Sequence, residues 1–399
     1  PLADPAAALR AALDAPIGAP PLRALVRGGD RATIVVSDAT RATGIRELLP
    51  ALLGYLDAAG IPAERVRLLA ALGMHRAQSA AERAATVGPE VAARVTHLDH
   101  ACDDTAMLEP LASDGPLAGV HLNRQVLEGD LAIVTGTIAF HYLAGFGGGR
   151  KALLPGVAAR ESVRAFHRRS LADAPAAGRH VNVASGVRAG NPLDALACHA
   201  AAAVPRTFLV NTIMTPADGG RVAALAVGDV AAAFDRGCDA YRGHFAVTVP
   251  ARRPVVVVSA GGAPRDCDLV QTQKAIGAGA AALAPGGMML VIAACADGPG
   301  QPELLEWFAH RDRARHVAAL RERFSVPGQT ALALREHAAH GEVHLYSRLP
   351  PDVVTRCGMI PVAHPDEFFA AVARRYGTDV DGYLLPEGAR YLPVVAATP

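Results

Sequence analysis

Lysine stands at only two positions, Lys151 and Lys274, among 39 basic residues; the other 37 are arginine. In an Ala- and Arg-rich chain, surface lysine drifts to arginine because either serves as a solvated charge. A lysine that survives is a candidate for chemistry closed to guanidinium, since an ammonium can lose its proton and act as nucleophile or covalent anchor. Lys151 closes the densest cluster in the chain, His141-Tyr142-Leu143-Ala144-Gly145-Phe146-Gly147-Gly148-Gly149-Arg150-Lys151, followed by Leu154-Pro155-Gly156. Gly145, Gly147, Gly148 and Gly149 each cost about 0.5–1 kcal/mol relative to Ala. Such a loop suits a place where backbone N–H groups approach an anion or a planar ring. It is not a P-loop, because Ala152 follows the lysine. His75, His141 and His167 fall at turns or helix edges, where imidazole can exchange protons near neutral pH or ligate a metal. The remaining histidines read as bland. His97 and His100 are expected to be solvated or capping, and His310, His316, His337, His340 and His344 to lie on the surface.

The elements that must hold these residues alternate strand and helix. After an Ala-rich helix over 5–14, strands are expected at 33–37, 65–72, 93–98 and 130–136, with helices over 45–59 and 79–86. That alternation predicts parallel βαβ units with ligands beyond the carboxyl ends of the strands. Asp38-Ala39-Thr40-Arg41 and Gly73-Met74-His75-Arg76 both fall at such ends. A break at Val249-Pro250-Ala251-Arg252-Arg253-Pro254 opens a second α/β domain, with strands at 255–259 and 288–294 and a helix over 269–283. The expected division is 1–250 and 251–389, the sequence leaving open whether the tail from 390 to 399 packs back on the first domain. Gly277 and Gly279 lie inside the second domain's helix with no strand directly before them, so they read as small packing residues rather than a dinucleotide fingerprint.

Composition bounds the function. Hydrophobic residues make up 51% of 399 and charged residues 19%, enough for two large cores. A net charge of +1 lacks the basic excess of a nucleic-acid binder. No uncharged apolar run reaches membrane-spanning length, and the first residues lack a signal-peptide pattern, so a cytoplasmic enzyme is expected. Six scattered cysteines without a CxxC pair read as reduced thiols.

Asp38-Ala39-Thr40-Arg41, Gly73-Met74-His75-Arg76, the His141–Lys151 block with Leu154-Pro155-Gly156, His167 and Gln271-Thr272-Gln273-Lys274 occur in the order found in the nickel-pincer-nucleotide-dependent lactate racemases. Over residues 30–300 the chain resembles that family. The resemblance implies two Rossmann-like α/β domains of mostly parallel sheets with the active site in the cleft between them. It implies a Ni(II)-pyridinium-3,5-bisthiocarboxylic acid mononucleotide attached covalently through Lys151, its square-planar nickel completed by His167. By the same resemblance Asp38, Ala39, Thr40, Arg41, Gly147 and Gly148 meet the cofactor, while Arg41, Gln271 and Lys274 bind substrate. His75 and His141 become the two proton donors and acceptors. The implied activity is racemisation or epimerisation of a 2-hydroxy acid, with cofactor-synthesis proteins as partners. Two departures fall near the implied substrate position. Gly147-Gly148-Gly149-Arg150 stands where a Ser-Gly-Gly-Ala-like run is expected, and Val270 replaces a Tyr, pointing to a substrate larger than lactate.

Two other readings use the same residues. Lys151 could be the aldimine lysine of a pyridoxal-phosphate-type enzyme with the Gly loop as phosphate cup. A non-catalytic carrier of the nickel nucleotide would keep Lys151 and His167 but need no pair of proton-transfer histidines.

Overall fold

The computed structural model describes residues 1–174, 178–215, 220–310 and 312–396. The chain divides into two compact units, one of 1–170 with 182–243 and the other of 171–181 with 244–399. The second unit thus begins before the expected boundary and takes back residues 171–181, where Leu171 joins its core.

In the first unit the strands are β1 (Ala32–Ser37), β2 (Val66–Ala71), β3 (Thr96–Asp99), β4 (Leu108–Pro110), β5 (His121–Asn123), β6 (Leu131–Thr137), β7 (Phe140–His141), β8 (Gly145–Phe146), β9 (Thr207–Met214) and β10 (Val222–Gly228). Six of them form one sheet in the order β10-β9-β6-β1-β2-β3, parallel except for β10 against β9. The runs are apolar because helices cover both faces. In helix Ile45–Ala58, Ile45, Leu48, Leu49, Leu52, Leu53 and Leu56 recur at helical spacing and are all buried, in one cluster with Ile34, Val36, Leu68 and Ile133.

Strand order locates the ligand side. From β1 the chain steps outward to β2 and β3, then returns to place β6 on the other side of β1. β1 and β6 therefore flank a switch point, where the loops at the carboxyl ends part and leave a crevice. Ser37 pairs with Ala71 and Val35 with Val134, so the ends of β1, β2 and β6 finish together.

In the second unit β12 (Arg253–Ser259), β13 (Leu283–Ile292), β14 (Glu342–Tyr346), β15 (Ile360–Val362) and β16 (Gly382–Leu385) make a parallel sheet in the order β15-β14-β13-β12-β16. β11 (Ala246–Val249) pairs in parallel with β17 (Leu392–Val395). Both strands belong to the second unit. Helix Leu269–Ala282 lies close on the sheet: a Cβ at Gly279 would sit 2.2 Å from Met289 Sδ. Close packing is the reason for that glycine. Among the described residues no helix is long and apolar enough to cross a membrane.

Candidate active site

Asp38 directly follows β1 and is buried. Its Oδ1 accepts from Thr40 N (3.1 Å) and Thr40 Oγ1 (2.6 Å), a side-chain turn that fixes the carboxylate. Its Oδ2 accepts from His75 Nδ1 at 2.6 Å. Burial pushes the carboxyl pKa up, but the hydrogen bonds from His75 and Thr40 and the charges of His75 and Arg41 outweigh it, leaving the group below its ordinary value. Ala39 N donates to Gln78 Oε1 (3.0 Å), and Arg41 beside it is exposed.

His75 stands on the loop after β2, half exposed, and the β1–β2 register makes it a neighbour of Asp38. Gly73 N donates to Gly156 O (2.8 Å), and Gly156 N to Lys151 O (3.0 Å). Two hydrogen bonds thus tie the His75 loop to the lysine loop.

The segment after β6 folds back through the β7–β8 hairpin, whose Phe140 and Phe146 pack on Tyr241. His141 stacks on Tyr142, and its Nδ1 accepts from the amides of Leu143 and Ala144, both at 3.2 Å. The glycines serve close packing. Gly148 has φ +91°, and a Cβ there would lie 2.9 Å from Thr137 O. Gly147 N donates to Ala139 O and Gly149 N to Asn211 Oδ1 on β9, which pins the loop against the sheet. A short turn over Gly149–Ala152 then carries Lys151.

His167 is on helix Arg160–Arg168. Its Nδ1 donates to Val163 O at 2.9 Å, leaving the lone pair on Nε2. Burial, and then the charge of Lys151, push the imidazole down to about 4. A neutral ring with an oriented second nitrogen is the form a metal ligand takes. Among the described residues no group of three or more His, Cys, Asp or Glu is placed to hold a metal ion.

Gln271 and Lys274 lie one turn apart on helix Leu269–Ala282, where Lys274 Nζ donates to Gln271 Oε1 at 2.8 Å. Val270 is half-buried against the second unit's apolar cluster, so part of the side chain assigned to substrate size is used in packing.

Sequence reasoning missed several supports. Arg150, beside Lys151, is buried, ion-paired with Asp194 and set 4.0 Å from the Phe234 ring. Arg188 also pairs with Asp194, at 3.2 Å. Asn211, which grips the Gly149 amide, was visible as a polar residue inside the apolar run Thr207–Met214. Gln78 had no such signal. Several histidine expectations also fail. His97, His100, His316 and His344 are buried. His100 donates to Ala158 O and accepts from Asn123, and His316 bonds to Gly328 O, because a ring with a backbone partner can be buried at low cost.

Residues 1–178 match the family model for the lactate racemase N-terminal domain, and 249–331 that for the lactate racemase C-terminal domain. The chain is 30% identical to the lactate racemase of Thermoanaerobacterium thermosaccharolyticum over 303 residues, 75% of this chain and 68% of that protein. It is 29% identical to the lactate racemase of Lactiplantibacillus plantarum, over 94% of this chain and 88% of the other. Among solved structures, the T. thermosaccharolyticum lactate racemase apoprotein superposes with a TM-score of 0.89 at 25% identity, covering 98% and 92% of the two chains. A Thermotoga maritima protein shares the fold, with a TM-score of 0.66 at 16% identity. The chain belongs to the lactate racemase family and is an enzyme of the isomerase class.

Proposed function

We propose that the protein racemises or epimerises a 2-hydroxy acid, lactate or a larger analogue, using a nickel-pincer nucleotide joined through Lys151 and completed by His167. The observation that carries this reading is the lysine–histidine pair after β6, with the imidazole kept neutral by burial and by the lysine's charge. Asp38, Ala39, Thr40, Arg41, Gly147 and Gly148 are the proposed cofactor contacts. When bound, the group supplies a site that takes a hydride from the substrate's α-carbon and returns it to either face.

The chain's own residues supply position and proton handling. An α-C–H beside a carboxylate is a weak acid, so direct deprotonation is unfavourable; loss of hydride requires only that the hydroxyl proton leave as well. His75 and His141 are the residues assigned to the hydroxyl. Arg41, Gln271 and Lys274 are assigned to substrate, the two cations to its carboxylate.

The test measures nickel in the purified active protein and screens chiral 2-hydroxy acids in deuterated solvent. Stoichiometric nickel and racemisation that retains the original α-hydrogen are expected. Deuterium entering the α-carbon would refute the hydride route. An aldehyde-reactive chromophore without nickel would favour a pyridoxal-type enzyme instead.

A further inference from the structure

The three amides that follow Asp38 are all used. Thr40 N donates to Asp38 Oδ1 and Arg41 N to the Asp38 carbonyl at 3.2 Å, both inside the loop. Ala39 N instead donates out of the loop, to Gln78 Oε1 at 3.0 Å. The Ala39 N–H and the Asp38 carbonyl are opposite sides of one planar peptide unit. Holding the first fixes the direction of the second, and with it the backbone of Arg41. The Arg41 side chain is exposed and takes its bearing from that backbone.

Gln78 can do this in one orientation only. It is buried in the segment between β2 and helix Ala80–Val87. Its backbone N donates to Asp99 Oδ2 at 2.8 Å and its Nε2 to Asp99 Oδ1 at 3.3 Å. Asp99 ends β3, and Arg83 Nη2 donates to its Oδ2 at 2.9 Å. Burial pushes the Asp99 carboxyl up, but the hydrogen bonds from Arg83 and Gln78 outweigh it and keep the group below its ordinary value. A carboxylate only accepts, so Asp99 takes the NH₂ end of the Gln78 side chain and turns the oxygen toward Ala39. Turned over, the side chain would set NH₂ against the Ala39 N–H and oxygen against the carboxylate. Both contacts would be lost together.

We propose that Gln78 is a positioning residue: oriented by Asp99, it holds the Asp38–Ala39 peptide so that Arg41 stays in place for the substrate carboxylate. The substrate carboxylate rests on the racemase reading; the orientation of the amide does not.

Exchanging the two groups tests this in the loaded enzyme. Gln78→Glu alone sets two carboxylates face to face. In Asp99→Asn alone the new NH₂ meets a donor whichever way it turns. In the double variant the amide at 99 donates to the carboxylate at 78, which still accepts from Ala39 N. Hydrogen exchange should show the Ala39 amide protected in wild type and double variant, and exchanging about tenfold faster or more in either single variant. Racemisation kcat/KM should fall about 10²-fold in the single variants, the scale for a misplaced binding group. Most of the loss should be in KM, because Asp38 keeps its bonds from Thr40 and His75, and the double variant should recover most of it. The Lys151 adduct mass should be the same throughout. Unchanged Ala39 protection in both single variants would overturn the proposal, as would a double variant no better than the worse single, or a fall in kcat with KM unmoved. If a single variant fails to fold, an unprotected Ala39 amide in wild type or a raised KM in the double variant still overturns it. Exchange that follows the expected pattern in a protein that acts on no 2-hydroxy acid would refute the racemase reading, and the carboxylate role of Arg41 with it, while the hold of Gln78 on the loop would stand.

Discussion

Each unit buries an imidazole held down at about 4. His167 does so in the first unit, with Nδ1 on the Val163 carbonyl. His316 does so in the second, with Nε2 on the Gly328 carbonyl. Burial is the largest cause in both. The difference lies in the neighbours. His167 has the charge of Lys151 beside it, on a loop at the carboxyl end of β6. His316 stacks on Trp307 at 5.3 Å on helix Arg313–Glu322, and the cation that acts on it is Arg335, which cannot serve as a nucleophile. A depressed pKa is therefore no mark of a site by itself. What marks one is a second reactive group and a place on the ligand side of a parallel sheet.

The sharpest way to break that contrast is to remove the reactive partner and keep its charge. Lys151→Arg should leave His167 neutral and the loop intact, yet no arginine can be acylated as lysine can. The mass increment on residue 151 in active wild-type protein should vanish, and racemisation with it. Normal turnover by this variant would remove the covalent anchor from the mechanism.

His167→Ala and His316→Ala set the two imidazoles side by side. The first should lose nickel and nearly all activity while the fold persists, because the hydrogen bond given up, to Val163 O, and the ring contact, with Phe166, both lie within its own helix. The second should retain nickel and turnover per folded molecule but lose about 2 kcal/mol of stability through the cavity and the orphaned Gly328 carbonyl. Metal analysis and unfolding curves separate these outcomes. Equal nickel in both variants would show that His167 is as structural as His316.

A smaller loss is expected at the strand-end histidines. His75→Ala and His141→Ala should each slow racemisation about 10²-fold or more, the usual scale for a group acting on a proton in the transition state. Adduct mass should survive in both. Near-wild-type rates in either would dismiss that residue from the reaction.

Much of this contrast was legible before the fold. β1, β2 and β6 are short apolar runs, and the period of helix Ile45–Ala58 is plain in its leucines. The lysine count and the polar clusters after apolar runs led to Asp38, His75 and Lys151. What could not be read was which way each ring nitrogen faces, since that depends on partners far along the chain: Asp38 for His75, Gly328 for His316. The place of the tail was open for the same reason. Leu392–Val395 can pair with any open edge, and its choice of β11 is a tertiary fact. Burial of Arg150 was illegible because its partner Asp194 comes 44 residues later.

The most local effect is the pH dependence that His316 contributes. Its pKa is about 4 folded against an ordinary 6.5. Above pH 6.5 the ring is neutral in both states and contributes no slope. As pH falls below 6.5 the unfolded chain binds a proton that the folded ring refuses, so stability drops until the folded ring also titrates near 4. The loss is at most about 1.4 kcal/mol per pH unit across that window. Carboxylates add their own acid dependence, so the quantity to measure is the difference between wild type and His316→Gln, in which their shares cancel. Trp307 makes the reading local: it is the chain's single tryptophan, buried against His316. Unfolding followed by its fluorescence should show wild type losing stability faster than the variant between pH 6.5 and 4, with parallel curves above. Parallel curves throughout would mean that His316 is charged in the folded state, and the likeness of the two buried imidazoles would be withdrawn.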